Sequence, residues 1–289
     1  QKKKIAAFWT QVKGLTNNYF GYDNLGAASD RPYGGTGSSY ADPSLTSFMG
    51  TLTYTLLDRY TLNLTTRADG SSMVGKDHTW GIFPSISATW DMKKESFLRN
   101  NKSISLLNLR TGYGRSGNLG GISSYLTLRQ YIPVGLISYN GTPTVTMGTL
   151  RNSNPDLRWE TRSTFNIGTD LGLFNNRLLL TAEYYYSKTT DMLYEYDVPV
   201  PTFAFDKLLA NIGSMSNSGF ELGIGVVPIS KKDMELNVNV NMAWQKNKLL
   251  SLNGKHNGRQ MTASEITPIG GMNGAGFHGG YNDIIYQIV

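Results

Sequence analysis

Residues able to do covalent or metal chemistry are few in this sequence, and they stand apart. The three histidines, His78, His256 and His278, have no partner four residues away and no nearby carboxylate pair, so a zinc site has nothing to build on. Cysteine is absent, which removes thiolate ligands, a thiol nucleophile and any disulfide framework. Neither a Gly-x-Ser-x-Gly elbow nor a His-Glu-x-x-His helix occurs. Gly112-Tyr113-Gly114-Arg115-Ser116-Gly117 has the spacing of a dinucleotide-binding loop. That loop works by opening a helix under a pyrophosphate, with an acidic residue about 20 positions further on. Here no Asp or Glu lies between Gly117 and Asp156, and Asn118-Leu119-Gly120-Gly121 is no helix start, so the motif reads as a strand running out into a loop. Glu183 and Glu221 could form a glycosidase-type carboxylate pair, but on strands such groups more often pair with a cross-strand cation. The sequence predicts no catalytic residue, no bound cofactor and no metal, hence no enzyme.

What remains is recognition chemistry. The stretch 115–157 carries Tyr125, Arg129, Tyr131, Tyr139 and Asn140. Aromatic faces stack on sugar rings or peptide side chains, while amides and guanidinium groups bond to hydroxyls and carbonyls. These five are the candidate substrate-binding residues; the competing reading has the tyrosines packing beneath the loop. Val198-Pro199-Val200-Pro201 and Phe203-Ala204-Phe205 suit packing against a neighbouring loop or a partner. Lys and Arg number 27 against 21 Asp and Glu, a net charge of +6 that is thinly spread. Its one cluster, Lys2-Lys3-Lys4, reads as a solvated end, and no nucleic-acid partner is expected.

The elements that must position these residues are strands. From Glu235 to Gln245, Leu236, Val238, Val240, Met242 and Trp244 share one face while Asn237, Asn239 and Asn241 share the other. Phe220, Leu222, Ile224 and Val226 alternate in the same way opposite Gly219, Glu221, Gly223 and Gly225, and 230–233 joins the two runs as a hairpin. Three further pairs follow: 47–57 with a return from Tyr60, 81–91 with 104–114, and 158–173 with 177–194. Eight strands therefore fall into four pairs. Their connections alternate between tight ones near 58, 92–103, 174–176 and 230–233 and longer ones at 71–79, 115–157, 195–212 and after 250.

Strands of about ten residues or more exceed the usual five or six. They match the roughly 9–11 residues a membrane strand needs, with apolar side chains facing lipid, polar ones facing a lumen and short turns at one rim. Trp80, Trp90, Tyr113, Trp159 and Trp244 lie near strand ends, where interfacial girdles form. No apolar run reaches the roughly 18 residues of a membrane helix. Asn, Ser, Thr and Gly on the second face would each cost about 1–3 kcal/mol if buried without partners. They cost little in a hydrated interior, so the pattern predicts an antiparallel transmembrane β-barrel wall rather than a packed sandwich.

Several blocks then resemble one family. Asp58-Arg59-Tyr60, Arg67-Ala68-Asp69-Gly70-Ser71-Ser72 and Trp80-Gly81-Ile82-Phe83-Pro84-Ser85 are similar to SusC/RagA-type TonB-linked outer-membrane proteins of Bacteroidetes. So are Leu109-Arg110-Thr111-Gly112-Tyr113-Gly114, Asn154-Pro155-Asp156-Leu157-Arg158-Trp159-Glu160-Thr161, and Asn211-Ile212-Gly213 with Asn217-Ser218-Gly219-Phe220-Glu221. The resemblance implies a 22-stranded barrel in the outer membrane with an N-terminal plug and a TonB box. It also implies a SusD-like surface lipoprotein as lid, and TonB-driven uptake of oligosaccharides or peptides. Eight strands are not 22, and within these 289 residues no plug sequence, TonB box or charged-then-apolar leader pattern is visible. The expectation is therefore a barrel segment from the C-terminal half: an extracellular loop region over 1–46, strands and intervening loops over 47–250, and a loop leading to further barrel over 251–289. Two other readings compete with it, a passive porin and a soluble all-β binding or adhesion module. The second would turn Leu236, Val238 and Val240 into a core.

Overall fold

The structure, a computed structural model, describes residues 4–14, 25, 30, 36–252, 254–256 and 259–261. A first hairpin joins β1 (Ile5–Thr10) to β2 (Thr36–Ala41). Then come β3 (Leu45–Leu56), β4 (Tyr60–Ser71), β5 (Trp80–Asp91) and β6 (Ile104–Asn118). A second hairpin, β7 (Tyr131–Tyr139) and β8 (Thr142–Thr149), precedes β9 (Glu160–Leu173) and β10 (Leu178–Asp197). The series closes with β11 (Lys207–Lys231), β12 (Met234–Ser251) and a short hairpin of β13 (Gly254–His256) and β14 (Arg259–Met261).

One antiparallel sheet of eight strands organises the chain, in the order β12-β11-β10-β9-β6-β5-β4-β3. Each strand neighbours the next in sequence, with the β7–β8 hairpin standing outside the sheet between β6 and β9. Among the described residues the outer edges of β3 and β12 pair with no strand, so the barrel is not closed within this segment. All eight expected strands are present, and β6, β10 and β11 run further toward the long loops than the alternation alone implies. The connection expected over 195–212 shrinks to 198–206, and that expected over 115–157 begins only after Asn118 and contains a hairpin. Beyond β14, the expected further loop and strand lie outside the described residues.

Register assigns each side chain to a face. The row Tyr54, Leu62, Ala88, Thr111, Ile167, Tyr184, Phe220 and Trp244 crosses all eight strands on one side. Phe48 is 65% exposed, Leu52 62% and Ile82 66%, and the clusters of buried apolar residues lie at the long-loop end rather than over this face. A continuous exposed apolar face across eight strands is not what soluble proteins leave bare. It needs a hydrocarbon solvent. Leu236, Val238 and Val240 belong to it and are exposed, where the soluble-module reading puts them in a core.

Aromatic residues set the height of the apolar band. Trp90 stacks on Tyr60 at the short-turn rim, with ring centroids 6.0 Å apart. Trp80 stacks on Phe48, and Trp244 on Phe220, each at 6.0 Å, toward the long loops. Trp80 and Trp90 are ten residues apart on β5. At roughly 3.3 Å per residue and a tilt of about 40°, that spans about 25 Å along the membrane normal, the height of a barrel's apolar band. Trp159 departs from the girdle expectation. It is 8% exposed and packs edge-on against Phe83 at 5.6 Å, because the chain before β9 turns inward over the lumen.

The short-turn rim is pinned by one carboxylate. Glu95 accepts from Tyr60 Oη at 2.5 Å, from Trp90 Nε1 at 3.0 Å and from Arg59 Nη1 at 2.6 Å. The donors on Tyr60 and Trp90, followed by the Arg59 charge, hold its pKa below the ordinary glutamate value. A folded pKa below the unfolded one adds stability that is complete above the unfolded value and disappears as pH falls through the folded value. The Glu95→Gln protein is therefore expected to lose less stability than wild type as the pH drops below about 4.3. Parallel acid-unfolding curves for the two proteins, followed by tryptophan fluorescence, would contradict this.

Candidate functional site

The long-loop end holds the packed part of the molecule, and Asn154–Thr161 is its knot. Asn154 Nδ2 donates to Leu209 O at 2.8 Å, and its Oδ1 accepts from the Asp156 N–H at 3.0 Å. Asn211 Oδ1 accepts from the Arg158 N–H at 2.9 Å, while Asn211 Nδ2 donates to Arg158 O and Asp191 O, both at 2.8 Å. Arg158 grips Asp191 through Nε at 2.8 Å and Nη2 at 2.6 Å. Glu160 accepts from the Leu193 N–H and from Asn118 Nδ2, each at 2.8 Å. On the other side the Gly75 N–H donates to Leu157 O at 2.7 Å, and a Cβ at Gly75 would sit 2.0 Å from Pro155 O, so only glycine allows this approach. Leu157, fully buried, anchors a cluster with Val74, Phe83, Ile122, Leu126, Trp159 and Leu193. Connections 72–79, 119–159 and 198–206 are thereby locked to one another. Asn152 completes the lock by bonding to Phe205 O at 2.7 Å and Lys207 O at 2.6 Å.

A groove of about 680 Å³ opens beside this platform, within the usual range for small-molecule sites of about 300–1,000 Å³. Tyr40, Leu45, Met73, Tyr125, Gln130 and Arg151 are among its lining residues. The Asp42 N–H donates to Tyr125 Oη at 3.3 Å, and Arg151 Nη2 donates to Gln130 Oε1 at 2.7 Å. Arg151 Nε is buried, with no hydrogen-bond partner among the described residues.

Of the five sequence candidates, the structure brings Tyr125 into this groove and leaves Arg129 exposed beside Gln130. Tyr131 opens β7 and Tyr139 ends it, eight residues on, which separates them by about 26 Å. Asn140 and Gly141 form the tip of the hairpin, both with positive φ, as its two-residue turn requires. Tyr131, Tyr139 and Asn140 are exposed and do not meet Tyr125 in one site. Tyr40, Gln130 and Arg151 escaped the sequence reading, because they come from separate segments with no shared spacing.

Below the platform the second face of the sheet forms a polar wall. Thr53 donates to Asn63 at 2.8 Å, and Thr51 meets Thr65 at 3.2 Å. Arg110 lies across Gly168, where a Cβ would come within 3.3 Å of its Cζ, and bridges two strands. Its Nη1 meets Glu183 Oε2 at 2.7 Å and its Nε meets Asp170 Oδ2 at 3.1 Å. Glu183 also accepts from Asn166 at 3.1 Å. It is thus tied into a cation-paired network, whereas Glu221, its cross-strand neighbour, carries no salt bridge among the described residues. A second groove of about 710 Å³, lined by the Arg67–Asp69 pair, Phe83, Arg115 and Trp159, lies where wall and platform meet. The glycines of 112–117 serve side-chain approach: Asn166 crowds Gly112 and the Phe83 ring covers Gly117. This surface offers hydrogen-bond donors and acceptors to polar solutes.

The wall thus has a lipid-compatible outer face and a polar inner face, with loops locked over one end. The family model for the β-barrel of TonB-dependent receptor-like proteins matches residues 5–275. The chain belongs to the TonB-dependent receptor β-barrel family. It is 36% identical over 220 residues to the TonB-dependent receptor SusC of Bacteroides thetaiotaomicron, covering 73% of this chain and 21% of SusC. It is 33% identical over 254 residues to a TonB-dependent receptor of Formosa agariphila, covering 88% of this chain and 25% of that one. Among solved structures, the RagAB peptide transporter superposes with a TM-score of 0.74 at 24% identity, over 86% of this chain and 27% of its own. The fold is therefore shared with RagAB. This receptor chain spans about a quarter of the length of the relatives it matches. Membership of the SusC-like outer-membrane transporter family places it in the outer membrane, and the eight-stranded sheet is part of a transmembrane barrel wall.

Proposed function

We propose that the intact receptor imports oligosaccharides or peptides across the outer membrane, driven by TonB and assisted by a SusD-like surface lipoprotein. The single observation behind this is the two-sided wall. Its outer face suits only lipid, and its inner face is a hydrogen-bonded polar surface capped by a platform of locked loops. The present segment supplies barrel wall and the loop surface around the substrate cavity, and performs no covalent step. Two similarities support the partner and cargo. SusC is a relative at 36% identity, and the RagAB fold neighbour is a peptide transporter by its own description. Within the segment, the groove of Tyr40, Tyr125, Gln130 and Arg151 offers an apolar floor, aromatic faces and polar amide and guanidinium groups. That combination would hold a carbonyl or hydroxyl of a polar oligomer.

The test is uptake by the intact receptor in cells. Transport is expected to cease when TonB is deleted, and a surface lipoprotein is expected to co-purify with the receptor. Uptake unchanged without TonB would instead support the passive porin. The Tyr125→Ala/Arg151→Ala double variant is expected to raise the half-saturating concentration of the transported oligomer roughly tenfold, about 1.4 kcal/mol of binding. An unaltered half-saturation would remove the groove from the substrate path while leaving TonB dependence intact.

A further inference from the structure

Just beyond the outer aromatic row, the lipid-facing side of the wall changes character. Tyr184, Phe220 and Trp244 are cross-strand neighbours on β10, β11 and β12. Two residues further toward the long loops the row reads Tyr186, Ser218 and Lys246, and two further again it reads Lys188, Ser216 and Lys248. All three lysines are exposed, whereas Ser216 between two of them is only 9% exposed. Neighbouring strands lie about 4.8 Å apart, so the Cα atoms of Lys188 and Lys248 are roughly 10 Å apart, and those of Lys246 and Lys248 about 7 Å.

Among the described residues none of the three lysines forms a salt bridge. Period-two alternation puts no Asp or Glu on the outward positions of β10 from Leu178 to Lys188, of β11 from Ser216 to Val226, or of β12 from Val238 to Leu250. The carboxylates of this region, Asp170, Glu183 and Glu221, sit on the lumen face. Height matters as much as charge. With the strands tilted by about 40°, Lys246 lies roughly 5 Å above Trp244 and Lys248 roughly 10 Å above it. The headgroup layer of one leaflet is about 5–8 Å deep, so Lys246 lies among the headgroups and Lys248 just above their outer boundary, from which its long flexible side chain reaches back to them. The long loops of a barrel are extracellular, which makes this the outer leaflet.

We infer that Lys188, Lys246 and Lys248 form a binding site for the phosphates of a phosphorylated glycolipid of the outer leaflet. The acyl chains would lie on the apolar rows below, over Tyr184, Phe220 and Leu222. Basic clusters bordering a membrane attract anionic headgroups in this way, and the shallow floor at Ser216 lets one phosphate approach lysines from both flanking strands.

The test uses the intact receptor, extracted from outer membranes in mild detergent. Bound glycolipid is counted by native mass spectrometry for wild type, for the triple Lys→Gln variant (K188Q/K246Q/K248Q) and for the triple Lys→Arg variant. Wild type and the Arg variant are expected to retain glycolipid, and the Gln variant at least tenfold less. In nanodiscs, wild type is expected to enrich bisphosphorylated lipid A around itself relative to its dephosphorylated form and to phosphatidylglycerol. Equal retention by wild type and the Gln variant would overturn the proposal, as would equal enrichment of phosphatidylglycerol. Heat-modifiable migration on gels establishes that each variant is folded; if the triple Gln variant is not, K248Q alone is compared, and retention equal to wild type again overturns it.

Discussion

Replacing Asn211 with Ala is expected to free the 119–159 connection from the wall while leaving the barrel intact. Asn211 is 7% exposed and makes three hydrogen bonds, to the N–H and O of Arg158 and to the O of Asp191. Ala strands three backbone groups, each costing about 1–3 kcal/mol when buried and unpaired, so roughly 3 kcal/mol is lost from local closure even if water reaches some of them. Opening of the loop then becomes about a hundredfold more frequent, at 1.4 kcal/mol per decade. Asn211→Asp should be worse than Ala, because it faces two carbonyl oxygens with acceptors instead of donors. The measurement is limited proteolysis of intact receptor in outer-membrane vesicles, with cleavage mapped within 119–153. Faster cleavage there, with unchanged heat-modifiable migration, is the expected pattern. Identical cleavage rates would mean that the buried apolar cluster around Leu157 holds the loop without the asparagine.

A charge on the outward face of β12 is expected to block assembly, whereas the same charge one residue along should be harmless. Val240 faces outward, six residues above Met234, roughly 15 Å from the short-turn rim and so near the middle of the apolar band. Arg at such a position on a barrel costs about 2–4 kcal/mol. Asn241 faces the hydrated lumen beside Gly223, where an Arg keeps its water. The folded yield of Val240→Arg in bilayers of ordinary thickness should fall by at least an order of magnitude, and that of Asn241→Arg should stay near wild type. Equal yields would refute the assignment of faces.

The strands were legible because alternation and chemistry agree over long stretches. From Leu236 to Trp244, every second residue is apolar and its neighbour is Asn or Ala, a pattern few other folds explain. The β7–β8 hairpin was hidden because most of its residues are exposed on both faces, so no alternation marks it and only Asn140-Gly141 signals the turn. Trp159 misled for a physical reason. Its place at the start of a strand suits a girdle, but the buried hydrogen bonds of Asn154, Arg158 and Asn211 pull the preceding chain inward. Asn154 and Asn211 are 57 residues apart. They belong to blocks that mark the family, yet nothing local shows that those blocks lock three connections together. The groove shares this property, since Tyr40, Tyr125 and Arg151 meet only once the loops have packed.

The most direct measurement is the accessibility of spin labels at positions 238 and 239 of the intact receptor in lipid bilayers. Val238 belongs to the outward apolar rows and Asn239 to the lumen wall beside Gly225. A label at 238 should collide with oxygen dissolved in the lipid, and a label at 239 with a water-soluble nickel chelate. A label at 238 shielded from both reagents, with 239 open to water, would mean that this face is a protein core, and the membrane-wall account would fail.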